Sequence, residues 1–319
     1  MPTLLLVELP EWLLRAVALM MGLIWGSFLN VVIHRLPAGM SIVKPASHCP
    51  NCKAPIPFYR NVPLLSWLLM RGKAPCCGAK VSARYVVIEL LGGLLSLAVL
   101  EATVLPLDAG TTALHALAVY VANFALCLGL LGAAFIDLEH MILPDSITFG
   151  GTVVGLATFA FRDMTLLDAA IGAAVGFAVV YLPLVVGYAK LRGRAGMGLG
   201  DAKLLMLAGA WFGWGGALLV LGGGAIQGTL AVVALSLSGK TLEEPEAVKR
   251  EREELRAEIE ALSDEERAEL EAELGADPLA EEPEEGFFNA RLAFGPFLIL
   301  AILECLLIGR QRILSWLIF

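Results

Sequence analysis

The chain has 319 residues, 58% hydrophobic and 17% charged, with a mean hydropathy of +0.75. A soluble domain is on average about half apolar and a quarter charged, so this composition excludes one and indicates a protein built into a lipid bilayer. The formal charge of −8 belongs to one segment: residues 240–290 hold 19 acidic and 6 basic residues, a net of −13, and the rest of the chain is +5.

A helix needs roughly 20 apolar residues, at 1.5 Å each, to cross ~30 Å of hydrocarbon. Apolar runs near 12–33, 84–104, 113–136, 146–161, 166–189, 202–213, 216–238 and 293–309 give eight candidates, the fourth and sixth of them short. The N-terminal stretch carries Glu8 and Glu11, with no basic n-region and no small-residue cleavage site, so the first span is expected to be retained. If residues 34–84 are cytoplasmic, that loop carries Arg35, Lys44, Lys53, Arg60, Arg71, Lys73, Lys80 and Arg84. The loop at 190–203 adds Lys190, Arg192, Arg194 and Lys203, against Arg162 alone in the opposite loops. The positive-inside rule then places the ends of the helices near Asp137 and Asp201 at the cytoplasmic face, with Arg310 and Arg312 as exceptions.

These features predict an all-α polytopic membrane protein of about eight transmembrane helices, in five parts. They are a first helix (1–34), a cysteine-rich cytoplasmic loop domain (35–83), a transmembrane core (84–239), an acidic cytoplasmic insert (240–290), and a last helix with the C-terminus (291–319). In the insert, Val248, Leu255, Ile259 and Leu262 fall at helical spacing. Ser263 and Glu266 form a capping-box pattern, and Gly275 suits a helix stop. The insert reads as a solvated helical hairpin, or as a docking site for a cytoplasmic partner.

"HCPNC" gives Cys49 and Cys52 a CxxC spacing, which lets two thiolates from one tight turn reach one tetrahedral metal ion. In "APCCG" the second pair is adjacent, Cys76 and Cys77, and Ala74 stands where a second CxxC would begin. Neighbouring side chains tend to diverge, so the firmer ligands of a structural zinc are Cys49, Cys52 and Cys77, with Cys76 or His48 as the fourth. A disulfide is disfavoured in a loop facing a reducing cytoplasm. Cys127 and Cys305 lie alone in apolar spans and read as packing.

Ionisable residues at the edges of spans are costly and mark functional candidates. Asp137 and Asp145 lie in "FIDLEHMILPD" and Asp201 in "GMGLGD", where Gly198 and Gly200 allow close backbone approach beside the carboxylate. Asp137 and Asp201, if their helices pack together, could share a proton, one acting as general base on water and the other as general acid on a carbonyl. An ion or proton relay and a purely structural role fit two aspartates equally.

Further stretches make the chain resemble the type IV prepilin leader peptidases and N-methyltransferases of the GxGD aspartyl protease group. They are "GSFLNVVIHRLP" at 26–37, "HCPNC" at 48–52, "NVPLLSWLLMRGK" at 61–73, "VSARY" at 81–85, "IDLEHMILPD" at 136–145, "GMGLGDAKLL" at 196–205 and "FGPFL" at 294–298. The resemblance implies removal of a basic leader from type IV prepilins and type II secretion pseudopilins, then methylation of the new N-terminus from S-adenosylmethionine. It implies a multi-pass protein of the bacterial inner membrane with its active site facing the cytoplasm, Asp137 and Asp201 as the catalytic pair, zinc in the loop, and no nucleic acid as partner. Asp145 matches a motif position and reads alternatively as a helix N-cap. His140 reads as interfacial, and Lys203 as pointing away from Asp201 toward lipid headgroups. Asn30 and Glu89 match family positions and read as helix–helix hydrogen-bonding groups. Ala74 departs from the family's second CxxC, and Ala293 from its usual proline. A polytopic transporter using both aspartates, or a non-catalytic assembly factor, are the alternatives.

Overall fold

The structure is a computed structural model that describes residues 5–49, 51–57, 62–192, 196–238, 246–274, 293–309, 312–313 and 315. The helix stop expected at Gly275, the remainder of the insert beyond its helices, and Arg60, Arg194 and Arg310 lie outside them. Among the described residues there is no β-strand, and helices dominate. In chain order they are α1 (Glu11–Arg35), α2 (Leu65–Leu69), α3 (Arg84–Val99), α4 (Ala113–His140), α5 (Asp145–Ala157), α6 (Leu166–Val180), α7 (Tyr188–Arg192), α8 (Leu199–Leu237), α9 (Glu246–Glu260), α10 (Asp264–Leu274) and α11 (Gly295–Glu304).

Among the described residues, five helices are long and apolar enough to cross a membrane: Glu11–Arg35, Arg84–Val104, Ala113–His140, Leu166–Arg192 and Leu199–Leu237. Gly295–Gly309 is a shorter apolar helix. The run expected near 146–161 is the 13-residue α5 followed by a short 3-10 turn. The runs expected at 202–213 and 216–238 form one 39-residue helix, broken at Gly213, where φ is 71° and ψ 177°.

Glycines fix how α8 folds. A methyl placed on Gly176 of α6 would meet the Leu205 carbonyl and, at 3.3 Å, Ala217. In a straight helix those two residues would be about 18 Å apart, so α8 turns back on itself at Gly213, and both arms lie against α6. Gly172 likewise touches Gly209 and Gly213. No side chain fits between these backbones, which is how small residues let apolar helices approach closely. Trp211, 1% exposed, fills the space under the turn, donates its indole N–H to the Gly151 carbonyl at 2.8 Å, and carries the Arg162 guanidinium 4.3 Å above its ring.

α1 and α3 pack by the same device, Gly22 against Gly92 and Gly93, and Gly26 against Glu89. Thr112 caps α4 through the His115 amide, and Thr165 with Asp168 forms a capping box on α6. Arg84 at the start of α3 pairs with Glu139 at the end of α4 at 2.6 Å. In the insert, the Ser263 amide donates to Glu266 at 3.0 Å and the Glu266 amide to the Ser263 hydroxyl at 3.3 Å, the reciprocal cap that the sequence predicts.

Candidate active site and candidate metal centre

Asp137 lies in the last turn of α4, which ends in a left-handed residue, Met141, at φ 53°. Pro144 then disfavours helical backbone at Leu143 and starts α5 in a new direction. Asp201 lies in the first turn of α8. Gly198 is the helix's N-cap residue, and its backbone N–H donates to Asp201 Oδ2 at 3.2 Å. Aspartates 64 positions apart in sequence meet at one site: both are buried, 5% and 8% exposed, and both line a cavity of about 300 Å³. Its wall includes Met141, Leu143, Gly198, Gly200 and Lys203. Both carboxylates face this one cavity. A water and a peptide bond held between such groups could exchange protons with both.

Asp145 is not in this cavity lining. It also does not cap α5: Pro144 holds the N-cap position, and Asp145 follows it as the first helical residue, without a capping bond. Lys203 corrects its expectation too. It lines the cavity instead of leaving it, and its ammonium pairs with Asp145 at 2.6 Å over the Phe149 ring. The reason is the approach of α5 to the first turns of α8, which gives the lysine a carboxylate partner before it reaches any headgroup. His140 is not among the cavity-lining residues.

The cysteine-rich loop contains two turns of matching shape. In the first, the Cys49 amide donates to Ala54 at 2.8 Å and Lys53 has φ 59°. In the second, the Ala74 amide donates to Ala79 at 2.8 Å and Gly78 has φ 71°. Ala74 thus occupies the place of Cys49, and Cys77 that of Cys52. The missing sulfur is supplied by Cys76 from within the turn. All four Sγ atoms lie within 4.8 Å of one another, with Cys49–Cys77 at 3.7 Å, Cys52–Cys76 at 3.3 Å and Cys76–Cys77 at 3.9 Å. Tetrahedral bonds of ~2.3 Å to one ion would set the sulfurs about 3.8 Å apart, so the four fit a metal ion. His48 turns instead to the Ala46 carbonyl at 3.2 Å. Backbone N–H groups of Cys52 and Asn51 hold the Cys49 thiol down to about 6, favouring the thiolate a metal requires.

Asn30 bridges α1 and α3, donating to the Tyr85 carbonyl at 3.3 Å, as a helix–helix group should. Glu89 links α3 to the N-cap residue of the short α2 and not to a second long helix. It accepts the Leu64 amide at 2.7 Å, with Leu64 held at φ 57°, and so ties the cysteine-rich loop to α3. Cys127 is fully buried beside Val99 and Phe124 as plain packing.

Two protein families match the chain: the bacterial peptidase A24 N-terminal domain over residues 20–102, and the type IV leader peptidase family over residues 124–233. A prepilin leader peptidase/N-methyltransferase of Aeromonas hydrophila is 37% identical over 264 residues, covering 73% of this chain and 86% of that protein. One from Myxococcus xanthus is 39% identical over 219 residues, covering 68% of this chain and 62% of that protein. One from Dickeya chrysanthemi is 39% identical over 232 residues, covering 64% and 75%. No solved structure matches the chain.

Proposed function

This chain belongs to the type IV leader peptidase family, and from that premise we propose that it is an intramembrane aspartyl endopeptidase. It removes the basic leader of type IV prepilins and type II secretion pseudopilins at the cytoplasmic face of the bacterial inner membrane, and then methylates the new N-terminal residue. The observation that carries the reading is the convergence of two buried carboxylates, Asp137 and Asp201, from two helix ends, on one open cleft. One carboxylate, ionised, takes a proton from the attacking water; the other, protonated, donates to the carbonyl oxygen of the scissile bond. No nucleophilic side chain is needed.

Zinc in the four-cysteine site, held by Cys49, Cys52, Cys76 and Cys77, acts as a structural ion, with every coordination position filled by protein. S-adenosylmethionine supplies the methyl group. The described residues single out no site for it: Glu89, the buried carboxylate that touches the loop, is occupied by the Leu64 amide. The insert offers a cytoplasmic partner the charged, exposed faces of α9 and α10.

Incubating the purified protein with a prepilin and S-adenosylmethionine in detergent, and weighing the product, tests the reading. Loss of the leader with gain of one methyl is the expected result. An intact substrate beside well-folded protein, across several prepilins, would overturn it.

Asp145 has a separate test. An ion pair this exposed on its acidic side is worth about 0–1 kcal/mol. Asp145→Asn should therefore keep cleavage within about tenfold of the parent. A loss of ~10³-fold, measured beside Asp137→Asn, would instead make Asp145 a catalytic carboxylate.

A further inference from the structure

The FGPFL stretch at 294–298 carries no ionisable group, yet it reaches the active site. α11 begins at Gly295, which is buried, and Pro296 follows. The first amides of a helix have no partner within it, and a proline has no amide to give, so the Gly295 N–H is the donor available at this end. The backbone of Gly295 lies directly against the Asp137 carboxylate. A methyl at Gly295 would sit 2.5 Å from Asp137 Oδ2, 3.1 Å from its Cγ and 3.2 Å from Leu143 Cδ2. Leu143 in turn lies 3.1 Å from the place of a methyl on Gly200, so residues of the LPD, GxGD and FGPFL stretches meet at one point.

We propose that Gly295 is a positioning residue of the peptidase site: its bare backbone lets the end of α11 close on Asp137 and hold that carboxylate in the orientation that faces the cavity shared with Asp201. The proposal rests on the peptidase reading above. A side chain here would leave the fold of α11 tolerable while displacing one of the two reacting groups. A misplacement of about 1 Å at such a group can cost ~100-fold in rate.

The test is prepilin cleavage by the full-length protein in detergent, with kcat and KM measured separately. Gly295→Ala should lower kcat about 100-fold and leave KM within about twofold. The double variant Gly295→Ala/Leu143→Ala opens space on the leucine side but keeps the methyl against Asp137, so the loss should persist. Leu298→Ala, which removes a fully buried side chain from the same helix, should lower the melting temperature and leave kcat near the parent value.

Parent-like kcat in Gly295→Ala overturns the proposal. So does recovery in the double variant, because crowding against Leu143 would then explain the loss. Failure of both variants to insert and fold also counts against it, since positioning requires a folded, slow enzyme. An inactive parent protein would instead bring down the peptidase reading itself.

Discussion

Asp201→Asn and Asp137→Asn should each lower prepilin cleavage by on the order of 10⁴-fold, while the protein still inserts and folds. The size follows from the roles: positioned proton transfer contributes ~10²–10⁴-fold per group, and asparagine of the same shape can neither take nor give the proton. The two groups act as a unit, so the double variant should lose no more than either single one. Stability should hold or rise, because each change removes one of two buried carboxylates facing the same cavity. Single-turnover cleavage read by mass spectrometry, beside a thermal melt, checks both halves. Residual activity within tenfold of the parent in either variant would remove that aspartate from the mechanism.

Metal loss is the second large effect. The purified chain should carry one zinc ion, and Cys49→Ser or Cys52→Ser should carry none by elemental analysis. Structural zinc brings ~10–16 kcal/mol of apparent binding energy in small domains, far more than two short turns can gather from packing alone. The loop should then open to trypsin at Lys53, Arg71, Lys73 and Lys80. The aspartates sit on α4 and α8, outside the loop, so cleavage should fall much less than metal content. Ala74→Cys/Cys76→Ala moves the fourth sulfur to the position equivalent to Cys49 and should keep the ion. A parent protein with no bound metal, or a Cys52→Ser variant that retains it, would refute the assignment.

Much of this arrangement is legible in the sequence because some choices are costly in an apolar chain. An aspartate at the edge of a hydrophobic run invites explanation, which is how Asp137 and Asp201 stand out, and run length alone locates the interruption of α8 near 213–216. Other features are silent for physical reasons. Spacing rules count residues, whereas a metal needs only sulfur atoms in the right places, so the interval broken at Ala74 leaves the fourth ligand open between Cys76 and His48 until the folded turns bring the Cys76 sulfur in. Lys203 finds Asp145 58 positions away, and helical spacing within one element cannot reveal a partner on another. Gly295 offers no chemistry to read, and its importance appears only once Asp137 is seen against it. Among the described residues five long helices emerge where eight apolar runs are counted, because α5 and the last helix are short and the two runs of α8 are continuous through Gly213.

The fold-back at Gly213 also decides what surrounds the arm that carries Asp201. From Asp201 to the turn is 12 residues, about 18 Å of helix rise, while ordinary hydrocarbon is ~30 Å thick. The carboxylate marks one end of this arm, and the turn, with the Arg162 guanidinium over Trp211, marks the other. Both polar ends cannot rest at headgroup level in a bilayer of normal thickness. Protein and not lipid covers this arm: Leu204, Leu205, Leu207, Ala208 and Ala210 are fully buried, and Trp211 is 1% exposed. Neighbouring helices thus supply the surroundings that a full-length span would take from lipid.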